Sequence, residues 1–471
     1  MGVITERVTP QAVRGERIAR LGLFMRRHQG SIAALQWAVV LCYLAMVVVP
    51  VFLPLPSADT RIWGSFTRFT QFMFWGVWWP CVVLSIMVFG RAWCGLLCPE
   101  GTITEWVSWY GLGLGIPRWM KWPGWPFVTF IGVALYGQMI SLHQFPAATL
   151  LILGGSTVAA VVVGLLYGRG KRVWCRHLCP VWGVFALLAR VAPVHFSVDR
   201  AAWDGAPSGA RTSRRHPVNC APLINIRRME SAAACHMCGR CAGERGAVQL
   251  ALRSPTAEIL SVTAPETGYR ADASNLWLAW LLVFGMIGAA QGAFQWAVSP
   301  WFAAADQAAA AWLGAHGVSW LLHPSGHWWI LIDYPRSGHV FTWLDGGMLV
   351  AYIAAEAVIV GGWVGGWTWL AAMLCELPWW RMASVFSFFS GANLFVGSIL
   401  LAWSQDTGAV SLPRWAAVVC MGLLTLAALC GAALAGRLAR HHRASATLAV
   451  LAAAALPLGA WAVEFFVWRK L

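Results

Sequence analysis

The chain has 471 residues, of which 59% are hydrophobic and only 11% charged, and its formal net charge is +15. An ordinary soluble chain carries about 25% charged residues, so this composition excludes a typical cytosolic enzyme and indicates a protein that lies mainly in lipid. The 13 Cys are too few and too unevenly spread for a secreted disulfide scaffold. Their clustering suggests metal binding instead.

Apolar runs of about 20 residues, the length that crosses a bilayer, recur along the whole chain and predict an all-α polytopic membrane protein with about nine transmembrane helices. The Ala-rich part of the segment after the fifth run, Phe302 to Leu322, is expected to lie along the membrane surface as an interfacial helix. Within the sixth run, Gly361-Gly-Trp-Val-Gly-Gly366 is a candidate break. The runs lie near residues 33–54, 71–90, 125–142, 147–167, 275–297, 346–368, 383–403, 414–435 and 446–468.

The distribution of Lys and Arg predicts the orientation, because positive charge is retained on the cytoplasmic side. With the N-terminus in the cytoplasm, only six of the 34 Lys and Arg fall outside, and the segment 168–270 on the inner side is the most basic. The chain then divides into four predicted parts. These are a basic cytoplasmic arm (1–30), a four-helix membrane unit (31–193), a cytoplasmic insert (194–270), and a second membrane unit of about five helices (271–471) with an outer segment (298–344).

The first membrane unit contains an internal repeat with a constant offset of 81 residues. Arg91-Ala-Trp-Cys-Gly-Leu-Leu-Cys-Pro-Glu-Gly101 matches Lys171-Arg-Val-Trp-Cys-Arg-His-Leu-Cys-Pro-Val-Trp-Gly183. If the segment is helical, the two Cys of a copy would share one face, and the Pro that follows suits the first position of a new helix. If the two hairpins meet, they offer the four thiolates that a [4Fe–4S] cluster or a structural zinc needs: Cys94, Cys98, Cys175 and Cys179.

The insert carries a second group of cysteines, with the spacing C-x2-C-x2-C and one further Cys upstream. Three thiolates at this spacing wrap one corner of a cubane cluster, and a remote Cys completes the site. A zinc ribbon needs two C-x2-C pairs and would leave the third Cys of the triplet without a role, while disulfides are disfavoured in a reducing cytoplasm. We therefore expect a small ferredoxin-like Fe–S insert, with zinc as the alternative, held by Cys220, Cys235, Cys238 and Cys241.

Glu356 stands near the middle of an apolar run, in Ala-Tyr-Ile-Ala-Ala-Glu-Ala-Val-Ile-Val. A carboxyl group inside a membrane is energetically costly and usually functional. Glu356 is therefore the candidate catalytic residue, for proton handling or for contact with a quinone. The alternative is a protonated carboxyl that is hydrogen-bonded between helices. Nucleic acid is not an expected partner, because the basic residues of the insert lack stacking aromatics and any recognition motif.

The two Cys-x3-Cys-Pro motifs (Cys94/Cys98 and Cys175/Cys179), followed by a cytoplasmic ferredoxin-type motif, resemble the membrane polyferredoxins. That group is related to the quinol dehydrogenase subunit of periplasmic nitrate reductase, the nitrous-oxide reductase regulator and cytochrome oxidase accessory proteins. The resemblance covers about residues 30–255. Such proteins often carry two complete C-x2-C-x2-C-x3-C-P runs, whereas this chain has one triplet, so one soluble cluster is expected.

This resemblance implies a bacterial inner-membrane protein that passes electrons through [4Fe–4S] clusters. One cluster is expected in the insert, and whether the hairpin cysteines hold a second one depends on the two hairpins meeting. The electrons would flow between the quinol pool or cytoplasmic donors and a periplasmic or membrane acceptor, with a redox protein as unidentified partner. The resemblance thus favours an electron-transfer component of a quinol-linked or respiratory system. Two alternatives remain: a non-catalytic protein of metal-centre assembly or regulation, and a transporter built around the second membrane unit.

Overall fold

The computed structural model describes residues 10–57, 60–206, 218–261, 268–407, 412–439 and 441–468. In this part of the chain, eight helices are long and apolar enough to cross a membrane. They confirm an all-α polytopic membrane protein. The eight spans are Gln29–Phe52, Phe66–Phe89, Pro146–Tyr167, Ala273–Val298, Trp343–Leu374, Trp379–Ser404, Arg414–Leu438 and Arg443–Phe466. Several basic residues used to predict the orientation lie outside the described residues, namely Arg7, Arg211, Arg214, Arg215, Arg440, Arg469 and Lys470.

The third apolar run, 125–142, is the one that does not form a full-length span. Its helix, Trp125–Met139, has 15 residues and is therefore about 22 Å long, shorter than a hydrocarbon core of about 30 Å. It ends early because the chain turns sharply at Ser141, whose φ is +48°. The prediction of a full span over this run is therefore wrong.

This short helix nevertheless connects the two ends of the helix bundle. Just before its start, Trp122 packs edge-on against Trp277, with ring centroids 5.1 Å apart, near the beginning of the span Ala273–Val298. Near its end, the Tyr136 hydroxyl donates a 2.6 Å hydrogen bond to the Trp329 carbonyl of the segment 298–344. The chain thus passes from one end of the bundle to the other here as well, although this helix is too short to be the ninth full span that the sequence predicts.

The glycine-rich stretch of the sixth run does not break its helix, which continues from Trp343 to Leu374. A Cβ atom on Gly361 would lie 2.7 Å from the Phe284 ring, and one on Gly365 would lie 3.7 Å from it. Small residues let membrane helices approach closely. These glycines therefore form a packing surface for the span Ala273–Val298.

The segment 298–344 forms a helix at Pro300–Ala315, a 3₁₀ turn at Trp320–Leu322 and a small hairpin. Its helix begins where the Ser299 hydroxyl accepts a 3.3 Å hydrogen bond from the Phe302 N–H. It ends well before Leu322 because Gly317 takes a left-handed conformation, with φ +73°. The predicted surface helix is thus shorter than expected. The hairpin strands are Asp333–Tyr334 and His339–Val340.

Between the two sets of spans, the insert forms a two-stranded antiparallel sheet with Phe196 opposite Leu250. The strands are Val194–Val198 and Val248–Leu252, and their buried side chains pack against Met237 of the cysteine triplet. The N-terminal helix Pro10–Arg27 contacts the second strand. The remaining short helices are Ile62–Gly64, Ala92–Leu96, Pro99–Ser108, Trp119–Lys121, Val173–His177, Trp182–Ala189, Arg200–Gly205, Ile226–Arg228, Glu244–Gly246, Ala257–Ser261 and Pro335–Ser337.

Candidate iron–sulfur site

The two copies of the repeat have the same local geometry. In each, a helix of five residues carries the first Cys and ends before the second. The second Cys then donates its backbone N–H to the carbonyl of the repeated tryptophan, from Cys98 to Trp93 at 2.9 Å and from Cys179 to Trp174 at 3.0 Å. The condition for both Cys of a copy to share one helical face is therefore not met, because the chain leaves the helix between them.

The proline after each pair behaves differently in the two copies. Pro99 starts the helix Pro99–Ser108, as predicted, and the preceding Cys98 caps this helix by accepting a 3.3 Å hydrogen bond from the Gly101 N–H on its Sγ. In the second copy, Pro180 lies in a turn, and the next helix begins at Trp182. The prediction is confirmed for the first copy and wrong for the second.

The four hairpin cysteines converge at one end of the bundle, and we call them the hairpin tetrad. Cys98 lies within electrostatic range of Cys94 and Cys175, and Cys179 within range of Cys98 and Cys175. Burial, together with the neighbouring thiols, raises the pKa values of Cys98 and Cys179, and burial raises that of Cys175 to about 12. Buried thiols that would repel one another as anions suit a metal centre, which neutralises the thiolates and releases their protons.

The insert cysteines form a second group, the insert tetrad. Cys241 lies within electrostatic range of Cys220, Cys235 and Cys238, and burial raises its pKa. Burial also raises the pKa of Cys220, and that of Cys235 to about 12. Gly239 turns the chain between the last two cysteines at φ +76°, and a Cβ there would lie only 2.6 Å from the Met25 side chain. The structure therefore brings the remote Cys220 to the triplet.

The two tetrads are in direct contact through their backbones. A Cβ atom on Gly95, between the two cysteines of the first hairpin, would lie 1.9 Å from the His236 carbonyl oxygen and 2.9 Å from the Cys238 nitrogen. Arg172 lies within electrostatic range of Cys175 in the one tetrad and Cys238 in the other. The backbone segments that carry the two tetrads are therefore in direct contact, and only a glycine fits at that point.

A buried ion cluster stabilises this contact between the two tetrads. The Arg172 Nε donates to one Glu105 carboxylate oxygen at 2.7 Å, and Arg240 from the triplet pairs with the other oxygen. Arg172 also donates to the Cys94 carbonyl. Burial alone would raise the pKa of Glu105, but the two arginines lower it below its usual value. A single carboxylate thus joins the two hairpins and the insert.

The first span and the helix before it hold both tetrads from the side. The Gln29 amide donates to the Cys238 carbonyl at 3.0 Å, and the Gln36 amide donates to the Gly95 carbonyl at 2.7 Å. Arg26 donates to the Ala242 carbonyl at 2.6 Å. These polar contacts fix the positions of the first hairpin and the triplet relative to each other.

Sequence reasoning missed the two arginines that precede the cysteine pairs. Arg91 and Arg172 are 81 residues apart, at equivalent positions of the repeat, and only 1% and 2% of their surfaces are exposed. Arg91 donates a 3.0 Å hydrogen bond to the Ala233 carbonyl of the insert. A charged residue that recurs in register with metal-ligand candidates was a signal for a buried structural role, because full burial of Arg is rare unless it is paired.

Each tetrad suits a polynuclear cluster better than a single ion. Among the described residues, no group of three or more His, Cys, Asp or Glu is placed to hold one metal ion. The all-thiolate donor set and the burial of the cysteines fit a [4Fe–4S] cluster.

Glu356 is not part of this site. Its Cβ packs against Gly292 of the span Ala273–Val298, and it lies within electrostatic range of Tyr352 on its own helix. Both neighbours belong to the second membrane unit. The catalytic role assigned to Glu356 from the sequence stays a prediction.

Comparison with known proteins agrees with the cysteine geometry. A family profile described as "4Fe-4S binding domain" matches residues 71–117 and 150–198. Each match contains one Cys pair of the hairpin tetrad, and the insert triplet lies outside both matches. No solved structure matches the chain.

The curated relatives are named as electron-transport or ferredoxin-type proteins. The putative electron transport protein YccM of Escherichia coli is 27% identical over 239 residues, which cover 45% of this chain and 62% of that protein. The methylamine utilization ferredoxin-type protein MauN of Methylorubrum extorquens is 31% identical over 132 residues, 25% of this chain and 45% of that protein. MauN of Paracoccus denitrificans is 28% identical over 123 residues, covering 24% of this chain and 44% of that protein. The chain therefore spans less than two thirds of the length of each of these relatives. Together, the profile and these relatives support a [4Fe–4S] cluster in this chain and show that it is similar to electron-transport and ferredoxin-type proteins.

Proposed function

We propose that this iron–sulfur electron-transfer protein relays electrons between the quinol pool or cytoplasmic donors and a periplasmic or membrane acceptor. The observation that carries the proposal is the direct backbone contact between the two tetrads, where Gly95 lies against the His236 carbonyl. Clusters held on the two sides of this contact would be separated by little more than the protein backbone. Such an arrangement favours electron transfer from one to the other.

The eight cysteines would hold two clusters, one in each tetrad. A [4Fe–4S] cluster exchanges one electron at a time, so two of them match the two electrons that a quinol gives up while its two protons pass to water. The protein's own contribution is to exclude water and to set the charge. Arg91 and Arg172 are buried beside the tetrads, and fixed positive charge of this kind stabilises the reduced form of a cluster.

An apolar cavity supports quinol as the membrane-side donor. The cavity has a volume of about 480 Å³ and lies between the second span, the first hairpin and the insert. Its lining includes Leu97, which precedes Cys98, and Met237, which precedes Cys238. Ser85 and Phe89 of the second span line it as well, and the neighbouring Val88 is 44% exposed on the lipid-facing surface. We propose that a quinol head group enters this cavity from the bilayer.

The cluster content tests the proposal directly. Anaerobically purified protein should contain about eight irons and eight sulfides, with two reducible clusters in EPR spectra. Cys238→Ser should remove one cluster, because a hydroxyl is a poor substitute for a soft thiolate. Cys98→Ser and Cys179→Ser should each remove the same other cluster, since they belong to one tetrad. Cys420→Ser, far along the chain in the span Arg414–Leu438, is the matched control and should keep both clusters.

Two results would overturn this assignment. About one zinc and no iron in the wild-type protein would contradict electron transfer altogether. About four irons that are all lost in Cys238→Ser would leave the hairpin tetrad without a cluster, and the hairpin cysteines would then need a different role.

The cavity is tested by filling it. Ser85→Trp should slow cluster reduction by a short-chain quinol at least tenfold, while dithionite still reduces both clusters. Val88→Trp adds the same bulk one turn away on the lipid-facing side and should leave the quinol rate unchanged. Equal quinol rates in wild type and Ser85→Trp would exclude this cavity as the quinol site.

A further inference from the structure

Five polar side chains from three spans meet inside the second membrane unit. Gln291 and Gln295 come from the span Ala273–Val298, Tyr352 and Glu356 from the span Trp343–Leu374, and Glu464 from the span Arg443–Phe466. We propose that they form a proton-binding site in which Glu464 carries an exchangeable proton. This site belongs to the half of the chain that neither the family profile nor the cysteine motifs reach, and it does not depend on the proposed function above.

Burial without partners is the first observation. The exposed fractions of Gln291, Gln295 and Glu464 are 0%, 1% and 6%. The Gln295 side chain faces the Glu464 carboxyl, yet neither carboxyl oxygen is in hydrogen-bonding geometry with a described residue. The Gln291 Oε1 and Gln295 Nε2 atoms are also buried without a partner. Buried polar groups are rarely left so, because they lose their hydrogen bonds to water and gain none in return.

The charges around Glu464 argue for a proton. Among the described residues, no Lys or Arg forms an ion pair with Glu464 or Glu356. The span Ala273–Val298 offers only amides here, and the span Trp343–Leu374 offers Tyr352, which lies within electrostatic range of both carboxyl groups. The adjacent span Arg414–Leu438 carries Cys420 on its buried side, while its Arg414 is exposed.

An unpaired carboxylate in such surroundings is strongly disfavoured, and a carboxyl group there takes a proton instead. The protonated acid then donates an O–H. The unpartnered Gln291 oxygen is an available acceptor, and the two glutamine amides are themselves within 3.5 Å of each other, from Nε2 of Gln291 to Oε1 of Gln295. A proton therefore provides the hydrogen-bonding group that the buried oxygens lack.

A polar path leads from this site to one end of the bundle. The Tyr352 hydroxyl faces Ser299, which directly follows the span Ala273–Val298 and caps the helix Pro300–Ala315. Glu464 is likewise only two residues from the end of its helix at Phe466. The proton can thus exchange through the end of the bundle that carries the segment 298–344.

Infrared spectroscopy of the full-length protein tests the site. Wild type at neutral pH should show the C=O stretch of a buried protonated carboxyl, and this band should shift on transfer to D₂O, which reports an exchangeable proton. Glu464→Gln should remove the Glu464 component of this band, and Glu464→Asp should keep that component at a shifted frequency. Glu230→Gln is the control, since the Glu230 side chain is 72% exposed, and it should change nothing. Cluster EPR signals report correct folding in every variant.

Three outcomes would overturn the inference. The first is a band that Glu464→Gln leaves unchanged in intensity and frequency. The second is a band that does not shift in D₂O. The third is conversion of the band to a carboxylate on adding sodium at constant pH, since the site would then bind a metal cation. If Glu464→Gln fails to fold, Gln295→Leu serves in its place. It removes the facing amide and should shift the band, and an unchanged band would count against the site.

Discussion

At the scale of single residues, the site depends on buried charges that the composition of the chain makes unexpected. Arg172 and Glu105 are nearly inaccessible, with side-chain exposures of 2% and 8%, and they join three chain segments. Breaking such a pair by removing one partner leaves a buried charge unpaired and costs about 3–5 kcal/mol. The ion cluster therefore holds the insert against the hairpins.

The first prediction follows for Glu105→Gln. It leaves Arg172 and Arg240 without their anion, so the insert should detach from the hairpins. We expect proteolysis within the insert to accelerate at least tenfold and the EPR signal of the insert cluster to weaken. Glu230→Gln removes an exposed pair with Arg200, worth at most about 1 kcal/mol, and should behave as wild type. Equal proteolysis of the two variants would contradict the role of Glu105.

The same ion cluster predicts a dependence on acid. Since the arginines lower the pKa of Glu105 below its usual value of 4.5, its stabilisation is complete above that pH. It is lost as the pH falls through the lower pKa of the folded state. Cluster retention in wild type should therefore decline below about pH 4.5, whereas Glu105→Gln should lack this component of the decline. The measurement is iron release against pH by absorbance.

At the scale of structural elements, the hairpin repeat could be predicted from the sequence, and its packing could not. The in-register Trp, Cys and Pro indicate two equivalent turns, and the equivalent hydrogen bonds of Cys98 and Cys179 agree with that. The early end of the helix Trp125–Met139 has no such pattern, because a single turn at Ser141 decides it. Likewise, nothing in the sequence marks Glu464 as a buried site residue. It lies next to the end of an apolar run, and its burial depends on two other spans.

Gly95 provides a prediction at this scale. Gly95→Ala would place a methyl group 1.9 Å from the His236 carbonyl oxygen, so the first hairpin and the insert must separate. Both cluster signals should broaden or diminish, and electron exchange between the clusters should slow. Gly132→Ala is the control, because no atom lies within 4 Å of a Cβ at this helical position and alanine favours a helix. Unaltered cluster spectra in Gly95→Ala would show that the two tetrads do not touch.

At the scale of the whole molecule, the described spans place all eight candidate ligands at one end of the bundle and the segment 298–344 at the other. Two neighbouring chain passages illustrate how these ends are linked. The short helix Trp125–Met139 connects the Trp122 region to the Trp329 carbonyl, and the span Ala273–Val298 runs alongside it. Electron transfer at one end and proton exchange at the other would thus occupy opposite faces of the same membrane protein. Which face is cytoplasmic depends on charge alone, because helix packing has no preferred side.

The orientation is therefore the last prediction. Charge retention on the inner side places the cysteine end in the cytoplasm, where Lys171, Arg172 and Arg176 follow directly after the span Pro146–Tyr167. A reporter fused after Asp204 should give fluorescence with green fluorescent protein and no activity with alkaline phosphatase. A fusion after Ser319 should give the reverse. Phosphatase activity at Asp204 would invert the topology, and the thiols of both tetrads would then face an oxidising compartment, in which free cysteines tend to form disulfides. The cysteine end can keep its thiolates available for iron only in the orientation that the charges predict.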